Sequence, residues 1–259
     1  AVHTPDGEKV AIVGSGPAGL MAGYRLALRG YDVTVFEAMD VPGGALAACI
    51  PEYRLPRDQL NADIQHIRNA GVKIRTGVMV GRDIMLDDLV ASHRAVFLAT
   101  GAHQSRKLNI PGEDAEGVIE ALEFLARVNL KKGVQVGRRV GIIGGGNAAV
   151  DAARVAVRMP GCQRVVIIYR RSRTEMPAFK EEVEGALEEG VELQLLTAPL
   201  AIVAPDGKLV GIECVRMELG EPDESGRRRP VPVEGSQFTI ELDTLLVAVG
   251  EQPDAHFLG

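Results

Sequence analysis

The chain has 259 residues with 29 basic and 35 acidic side chains, and its formal net charge of −6 gives no electrostatic reason to expect nucleic-acid or anionic-membrane binding. No apolar run reaches the ~18 residues of a membrane span, and no signal-peptide pattern is present. The three cysteines, Cys49, Cys162 and Cys214, lack CxxC or metal-ligand spacing, which disfavours a disulfide scaffold, zinc or an iron–sulfur cluster in this chain, and a reducing, cytoplasmic compartment is expected.

The first third of the chain predicts a strand–helix–strand unit over residues 9–37. It opens with an all-apolar run, typical of a parallel strand buried on both faces, and continues through a glycine cluster and a helical periodicity into a second apolar run. Helices are then predicted at 57–70 and 86–91, and strands at 72–76 and 97–101. The last of these strands ends in a glycine.

The second half repeats this pattern over residues 139–170. A helix is predicted before it at 121–130 and an acidic amphipathic helix after it at 178–189. Residues 191–218 change to short strands and predict a β-meander. A final apolar strand at 246–250 again ends in glycine. The period is too long for a solenoid, so the duplication predicts two nucleotide-binding halves.

Residues 220–236 are predicted to form a polar surface loop. Three consecutive arginines at 227–229 lie within it. We interpret them as a solvated turn, with a role in binding a phosphate or a partner as the less favoured alternative.

The first glycine cluster, residues 14–19, is a GxGxxG motif between a predicted strand and a predicted helix, which is the context of a dinucleotide-binding loop. Gly14 permits the tight turn, Gly16 lets a pyrophosphate approach the backbone, and Gly19 lets helix and strand pack closely. Glu37 ends the second strand, where its carboxylate can accept hydrogen bonds from ribose hydroxyls. A chance match of the motif is the alternative, which the agreement of strand, helix and acidic residue disfavours.

The second glycine cluster reads Gly-Gly-Gly-Asn-Ala-Ala, with Ala149 in place of the third glycine. The segment Tyr169-Arg170-Arg171, followed by Arg173, occurs where the first unit has Glu37. Guanidinium groups attract a 2′-phosphate that a carboxylate would repel, so this difference predicts a preference for NADP over NAD. The alternative is a basic surface cluster with no ligand.

Seven motifs together make a specific combination: VAIVGSGPAGL (10–20), PGGALAACIPEYRLP (42–56), ATGA (99–102), IPGED (110–114), GIIGGGNAAVDAAR (141–154), YRRSRTEMPA (169–178) and LLVAVGEQPD (245–254). With them the chain resembles the flavin- and pyridine-nucleotide-binding half of the small subunit of bacterial glutamate synthase. The same module occurs in dihydropyrimidine dehydrogenase and in the large subunit of NADH-dependent ferredoxin:NADP oxidoreductase. The resemblance covers nearly the whole chain.

The resemblance implies an α/β fold of two Rossmann-like dinucleotide-binding domains in a glutathione-reductase-like arrangement, with a small β-meander. Residues 1–104 would form an FAD-binding domain, residues 105–250 an inserted NADP(H)-binding domain, and residues 251–259 would return toward the FAD domain. The family's closing FAD segment, which carries a Gly-Asp motif, and its iron–sulfur-ligating cysteines are not found in this sequence. We therefore expect an interior portion of a larger polypeptide.

The resemblance also implies the cofactor contacts. Those with FAD fall on the first loop and five later segments: Gly14, Ser15, Gly16, Pro17, Ala18, Gly19, Glu37, Gly43, Gly44, Ala45, Arg54, Val80, Thr100 and Gly101. Those with NADP(H) fall on the second loop, the arginines and the last strand: Gly145, Gly146, Asn147, Ala148, Arg170, Arg171, Ala248, Val249 and Gly250. No catalytic side chain and no metal ligand is expected, because the cofactors carry the chemistry. A plain surface arginine is the alternative for Arg54.

The function implied is a flavin-dependent oxidoreductase module that transfers hydride between NADPH and FAD. Single electrons would pass onward to iron–sulfur clusters in another domain or subunit, and a larger catalytic subunit would be the partner. A disulfide reductase of the thioredoxin-reductase kind is disfavoured because the sequence has no CxxC pair. A non-catalytic nucleotide-binding subunit or sensor without a functional flavin remains an alternative.

Overall fold

The computed structural model describes residues 7–224 and 226–253. Asp254, the last residue of the seventh motif, and the rest of the predicted return segment lie outside the described residues. The chain forms two compact units, residues 1–104 with 251–259, and residues 105–250. Among the described residues, no helix has both the length and the apolar character needed to cross a membrane.

The first unit is built around a four-stranded parallel sheet. Its elements in chain order are β1 (Lys9–Val13), α1 (Pro17–Ala27), β2 (Asp32–Phe36), α2 (Ala45–Ala48), α3 (Arg57–Asn69), β3 (Lys73–Arg75), α4 (Leu86–Ser92) and β4 (Ala95–Leu98). The strands lie in the order β3-β2-β1-β4 and all neighbouring pairs are parallel.

Alternate residues of β1 supply the two cores of this sheet. Val10 and Ile12 pack on the face covered by α1, whereas Ala11 and Val13 pack on the opposite face together with Leu89 of α4. A strand buried on both faces must be apolar at every position. This requirement explains the uninterrupted apolar run in the sequence.

The second unit has a five-stranded parallel sheet and a smaller antiparallel one. Its elements are β5 (Gln104–Ser105, which starts in the first unit), β6 (Val118–Glu120), α5 (Ala121–Asn129), β7 (Arg139–Ile143), α6 (Asn147–Val157), β8 (Arg164–Ile168), α7 (Lys180–Glu188), β9 (Glu192–Gln194), β10 (Thr197–Val203), β11 (Gly211–Pro222), β12 (Arg228–Pro232), β13 (Phe238–Glu241) and β14 (Thr244–Val247). The parallel sheet has the order β6-β14-β7-β8-β9. Where the chain returns to the first unit, Glu251–Gln252 (β15) pairs with β5.

The parallel sheet of the second unit separates two cores. Val140 and Ile142 of β7 pack with residues of α5, α6 and α7, whereas Ile143 packs with residues of β10, β11 and β13. The antiparallel strands are therefore the cover for one face of the sheet, and the helices cover the other. Parallel sheets in both units, each with helices packed on it, confirm the α/β class with two Rossmann-like domains.

Two sequence-based predictions are wrong in the second unit. The polar loop predicted at 220–236 contains β12, which pairs antiparallel with β11, itself extending to Pro222. Because β12 lies at the edge of its sheet, it tolerates prolines and charged residues that a central strand would not. In the predicted meander, β9 instead joins the parallel sheet beside β8.

Candidate dinucleotide-binding sites

The two units make the same backbone turn after their first strands. Gly14 has φ +102° and Gly144 has φ +143°, conformations that L side chains rarely adopt. A Cβ on Gly14 would collide with the carbonyl oxygen of Ala99, and one on Gly144 would collide with that of Ala248. Each turn is therefore restricted to glycine by both its conformation and the strand end that lies against it.

The third positions of the two motifs differ in packing. A Cβ on Gly19 would overlap the carbonyl oxygen of Gly14, so the first helix packs against its own loop with no room for a side chain. The second unit holds Ala149 at this position, fully buried within its helical core. The second loop therefore accommodates one methyl group more than the first.

Open space lies above the starts of both long helices. Gly16 and Gly146 are the N-cap residues of α1 and α6, have extended backbones, and receive no side-chain cap. A Cβ added to either would meet no atom within 4 Å. The first intrahelical bonds are Leu20 N–H to Gly16 O and Val150 N–H to Gly146 O, so the amides before them project beyond the helix.

These two cradles fit a pyrophosphate. Each combines free amides, the positive end of a helix dipole and a glycine without bulk, which is the arrangement that binds phosphate oxygens. Pro17, at the first helical position, lacks an N–H that would be unpaired there anyway. Ala18 is exposed beside it, and Ala148 is half-buried at the corresponding place in α6.

Glu37 is buried, with 5% of its surface exposed, and is held by three donors. Its Oε2 accepts hydrogen bonds from Ser15 N at 2.9 Å and from Ser15 Oγ at 2.5 Å, and its Oε1 accepts one from Met39 N at 2.8 Å. A carboxylate can accept about four hydrogen bonds. Glu37 therefore anchors the first glycine loop and retains acceptor capacity at Oε1.

A glycine pair packs directly on the first loop. Gly43 N donates to both the carbonyl oxygen and the Oγ of Ser15, each at 3.1 Å. A Cβ on Gly44 would come within 2.8 Å of Gly16 Cα. The fold thus brings together the first loop, the end of β2 and the segment that leads into exposed Ala45.

An arginine that the sequence does not single out stabilises this segment. Arg57 donates from Nη1 to the carbonyl oxygen of Leu46 at 2.7 Å and from Nη2 to that of Ile50 at 2.6 Å. It thereby ties α3 to α2. Arg54 is half-buried, and its backbone N–H bonds to Pro51 O. Arg54 lies within the motif at 42–56 and Arg57 just after it, and only the folded chain shows that Arg57 meets these two carbonyls.

The remaining first-unit candidates lie at strand ends. Val80 is buried beside Val13 and Phe36 on one face of the sheet. Thr100 is half-buried two residues after the end of β4, and its Cα lies close to the position of a Cβ on Gly14. Gly101 follows, exposed and with φ +72°. Thr100 thus borders the glycine turn, whereas Val80 is a core residue whose side chain faces the interior.

In the second unit an aromatic ring takes the place that Glu37 has in the first. Tyr169 follows β8 as Glu37 follows β2, and a Cβ on Gly145 would lie 2.6 Å from its ring. The Tyr169 hydroxyl donates to Glu175 O at 2.8 Å. Asn147 Oδ1 accepts from Phe179 N at 2.9 Å. The segment after β8 is therefore fastened to the second glycine loop.

The two arginines after Tyr169 have different surroundings. Arg170 is exposed, whereas only 3% of Arg171 is exposed. Arg171 donates from Nε to Arg228 O at 2.7 Å and from Nη2 to Asp223 Oδ2 at 2.5 Å. The guanidinium of Arg171 is thus engaged in an ion pair with Asp223, whereas that of Arg170 is exposed, and the 2′-phosphate contact expected of Arg171 stays a prediction. Arg173 is exposed, with Nη2 3.5 Å from Glu184 Oε1.

The last strand ends beside the second loop. Ala248 N donates to Ile143 O at 2.8 Å, and the Ala248 carbonyl packs on Gly144. Val249 is exposed, and Gly250 has φ +113° and accepts a hydrogen bond from Arg106 N at 2.8 Å. Ala248 thus repeats the role of Ala99 in the first unit.

The thiols do not form a redox pair in the described part of the chain. All three cysteines are free. Burial, assisted by the charge of Glu251, raises the pKa of Cys49 to about 11, and burial raises the pKa of Cys214 to about 12. Within residues 7–224 and 226–253, no group of three or more His, Cys, Asp or Glu side chains could hold a metal ion.

Comparison with known proteins gives consistent matches. A profile of the family described as pyridine nucleotide-disulphide oxidoreductase matches residues 8–258. The NADP(+)-dependent formate dehydrogenase subunit beta of Moorella thermoacetica is 50% identical over 255 residues, which cover 97% of this chain and 36% of that protein. The glutamate synthase (NADPH) small chain of Escherichia coli (strain K12) is 38% identical over 260 residues, covering 95% of this chain and 55% of that protein.

A solved structure shares the fold. FprA from Mycobacterium tuberculosis in complex with NADPH matches with a TM-score of 0.84 and 21% identity, covering 96% of this chain and 72% of that one. Likeness at this identity shows the fold alone. The chain spans roughly a third to just over half of the two curated relatives described above.

Proposed function

Because the chain belongs to the pyridine nucleotide-disulphide oxidoreductase family, we propose that it is a flavin-dependent module that transfers hydride between NADPH and FAD. In this proposal residues 1–104 with 251–259 bind FAD, and residues 105–250 bind NADP(H). Family membership and the named relatives confirm the resemblance to the glutamate synthase small-subunit group and the oxidoreductase class. They support FAD and NADP(H) as the two cofactors.

One observation supports the assignment of a different cofactor to each unit. Each unit contains a glycine turn packed against an alanine carbonyl, that of Ala99 in the first unit and that of Ala248 in the second, but a different group follows the second strand. In the first unit this group is a buried carboxylate, Glu37. In the second it is the Tyr169 ring, and the exposed guanidinium of Arg170 comes directly after it. A carboxylate suits unmodified ribose hydroxyls, and a guanidinium suits a 2′-phosphate.

In this proposal the residues of the chain bind and orient the two cofactors. The amides at the starts of α1 and α6 hold the two pyrophosphates, and Glu37 Oε1 has acceptor capacity left for a ribose hydroxyl. Arg170 attracts the 2′-phosphate. Bound FAD supplies the chemistry that accepts an electron pair and releases electrons singly. No side chain of this chain is assigned a proton to transfer.

Electron transfer beyond the flavin is part of the proposal. The formate dehydrogenase and glutamate synthase relatives are named as a beta subunit and a small chain. Their names support a larger catalytic partner for this chain, and we propose iron–sulfur clusters in another domain or subunit as the next electron carriers. The free cysteines agree with a reducing, cytoplasmic compartment, which we propose as the location.

A spectroscopic titration tests the proposal. The purified chain is equilibrated with FAD, freed of unbound cofactor and examined for visible flavin absorbance. NADPH or NADH is then added without oxygen. We expect bound flavin, bleached by NADPH at lower concentrations than by NADH. A colourless protein that still binds NADPH would point to a nucleotide-binding subunit without a flavin reaction, and a protein that binds neither cofactor would refute both assignments.

A further inference from the structure

The tip of the β11–β12 hairpin is joined to the segment that follows β8. Arg171 makes both connections, to the carboxylate of Asp223 and to the backbone carbonyl of Arg228. Asp223 N in turn donates to Arg227 O at 2.8 Å across the hairpin tip. Since Arg171 is buried and bonded through two nitrogens, it holds the hairpin against the segment that follows β8.

The side chain of Arg228 is exposed and reaches across to the neighbouring strand β11. Its Nε donates to Gly220 O at 3.2 Å, and its Nη2 donates to Leu219 O. Its charge also contributes to lowering the pKa of Glu175, for which the hydrogen bond from Ser172 is the main cause. The hydrogen bond from Arg171 to the carbonyl oxygen of Arg228 and this effect on Glu175 place Arg228 near the 173–175 turn. This turn follows Arg170 and Arg171 in the sequence.

Two carboxylates near this turn, those of Asp223 and Glu175, are already engaged. Asp223 is paired with buried Arg171, and Glu175 accepts hydrogen bonds from Ser172 N and Oγ in a capping box. Arg170 and Arg228 are both exposed. Arg170 directly follows Tyr169 at the end of β8, and Arg228 lies on the hairpin that Arg171 ties to this segment. Two exposed guanidinium groups from distant parts of the sequence suit a doubly charged phosphate.

We propose that Arg228 is a second specificity residue for the 2′-phosphate of NADP(H), and that Arg171 is the positioning residue that holds the β11–β12 hairpin beside Arg170. The proposal rests on the proposed function, in which NADP(H) binds the second unit. The proposal assigns a ligand to Arg228, one of three consecutive arginines at 227–229 whose sequence pattern by itself predicts a solvated turn. It also gives Arg171 a role that fits its burial.

The test compares two probes that differ only in the 2′-phosphate. Adenosine 2′,5′-bisphosphate and AMP are titrated calorimetrically into the full chain and into R228Q, R228K and R229Q variants. Arg229 is the matched control, because it is an exposed arginine and the next residue on the same strand. Successive side chains of a strand point to opposite faces, so the side chain of Arg229 lies on the face opposite to that of Arg228. We expect R228Q to weaken binding of the bisphosphate about tenfold, as loss of one charged contact would, and to leave AMP unchanged. R228K should retain part of the preference, and R229Q all of it.

The positioning role has its own readout. D223N keeps the shape of the side chain but weakens its ion pair with Arg171, and R171K keeps the charge but loses the two-pronged geometry. We expect both to raise the KM for NADPH more than that for NADH, with kcat unchanged. A general loss of folding would change both cofactors alike, and this result would overturn the positioning role.

The outcomes separate the two proposals. If the unmodified chain does not prefer the bisphosphate over AMP, the assignment of NADP(H) to the second unit fails, and this inference fails with it. If the unmodified chain shows the preference but R228Q and R229Q both keep it in full, the proposed function stands and the role of Arg228 is overturned.

Discussion

Glu37 Oε2 accepts hydrogen bonds from both the amide nitrogen and the hydroxyl of Ser15, so the residue expected to face a ribose also closes the first glycine loop. The same hydroxyl accepts a hydrogen bond from Gly43 N. One buried serine thus links the loop, the end of β2 and the glycine pair. Binding and stability depend on the same contacts here, and substitutions can distinguish the two contributions.

Ser15→Ala should destabilise the chain by about 1.5–3 kcal/mol, because a buried carboxylate loses a charged hydrogen bond and no water can replace it. The free energy of unfolding in urea measures the effect. Ser92→Ala is the control, since Ser92 is exposed at the end of α4 and its hydroxyl bonds within the same helix, and its loss should cost less than about 0.5 kcal/mol. Equal stability of S15A and the unmodified chain would show that the Ser15–Glu37 contact is energetically unimportant.

Gly16→Ala and Gly146→Ala should separate the two cofactors. Neither added methyl group meets another atom of the chain, and both backbones are in regions open to alanine, so we expect unfolding free energies within about 0.5 kcal/mol of the original. Each methyl group would occupy the space of a pyrophosphate. G16A should therefore lose FAD and keep NADPH binding, and G146A the reverse.

Flavin absorbance and NADPH calorimetry, measured on both variants, provide this comparison, and each variant is the control for the other. A variant that binds both cofactors normally would contradict the position assigned to that pyrophosphate. Loss of both cofactors from one variant, with normal folding, would contradict their separate assignment to the two units.

Arg170→Gln should raise the KM for NADPH about tenfold and leave that for NADH unchanged, since only the former has a 2′-phosphate to lose a charged contact. Steady-state kinetics with both cofactors provides the measurement. Arg170 is exposed, so its replacement should leave the melting temperature unchanged. Arg170→Lys keeps the charge, and its KM for NADPH should lie between the values of the original chain and of R170Q. Equal KM changes for both cofactors would mean that Arg170 does not recognise the phosphate.

Cys49 should react slowly with thiol reagents at ordinary pH. Burial, followed by the charge of Glu251, raises its pKa to about 11, whereas an unperturbed thiol titrates near about 8.5. Alkylation of the Cys49 peptide, followed by mass spectrometry, should accelerate about tenfold per pH unit up to about pH 11. The urea-unfolded chain is the control. A rate that levels off near pH 9 in the folded chain would contradict the raised pKa.

The same shift affects stability with a defined sign. The folded state keeps the Cys49 thiol protonated at pH values where the unfolded chain loses this proton. The contribution of the thiol to the free energy of unfolding is therefore complete below about pH 8.5 and is lost as the pH rises toward about 11. Cys49→Ser removes this titration. The variant should therefore lose less stability than the original chain over that interval, as measured by urea unfolding at several pH values.

The sequence by itself determined the repeated strand–loop–helix units and the glycine turns within them. These features depend on neighbours close in the chain: an uninterrupted apolar run, a glycine where φ is positive, and a helix that begins directly after it. The acidic and basic residues after the second strands are equally local. For this reason the α/β class was predictable, although short elements such as α2 and β6 were not.

Only the tertiary structure decided which of these residues can face a ligand. Arg170 and Arg171 are neighbours of one type, yet one is exposed and the other is buried against Asp223, 52 positions away. The hairpin that brings Asp223 there lies in a segment with loop-like composition, and it forms because β12 finds β11 as a partner. Such pairings depend on surfaces that meet only when the chain has folded, because local composition does not encode which distant backbone groups and charges will be neighbours.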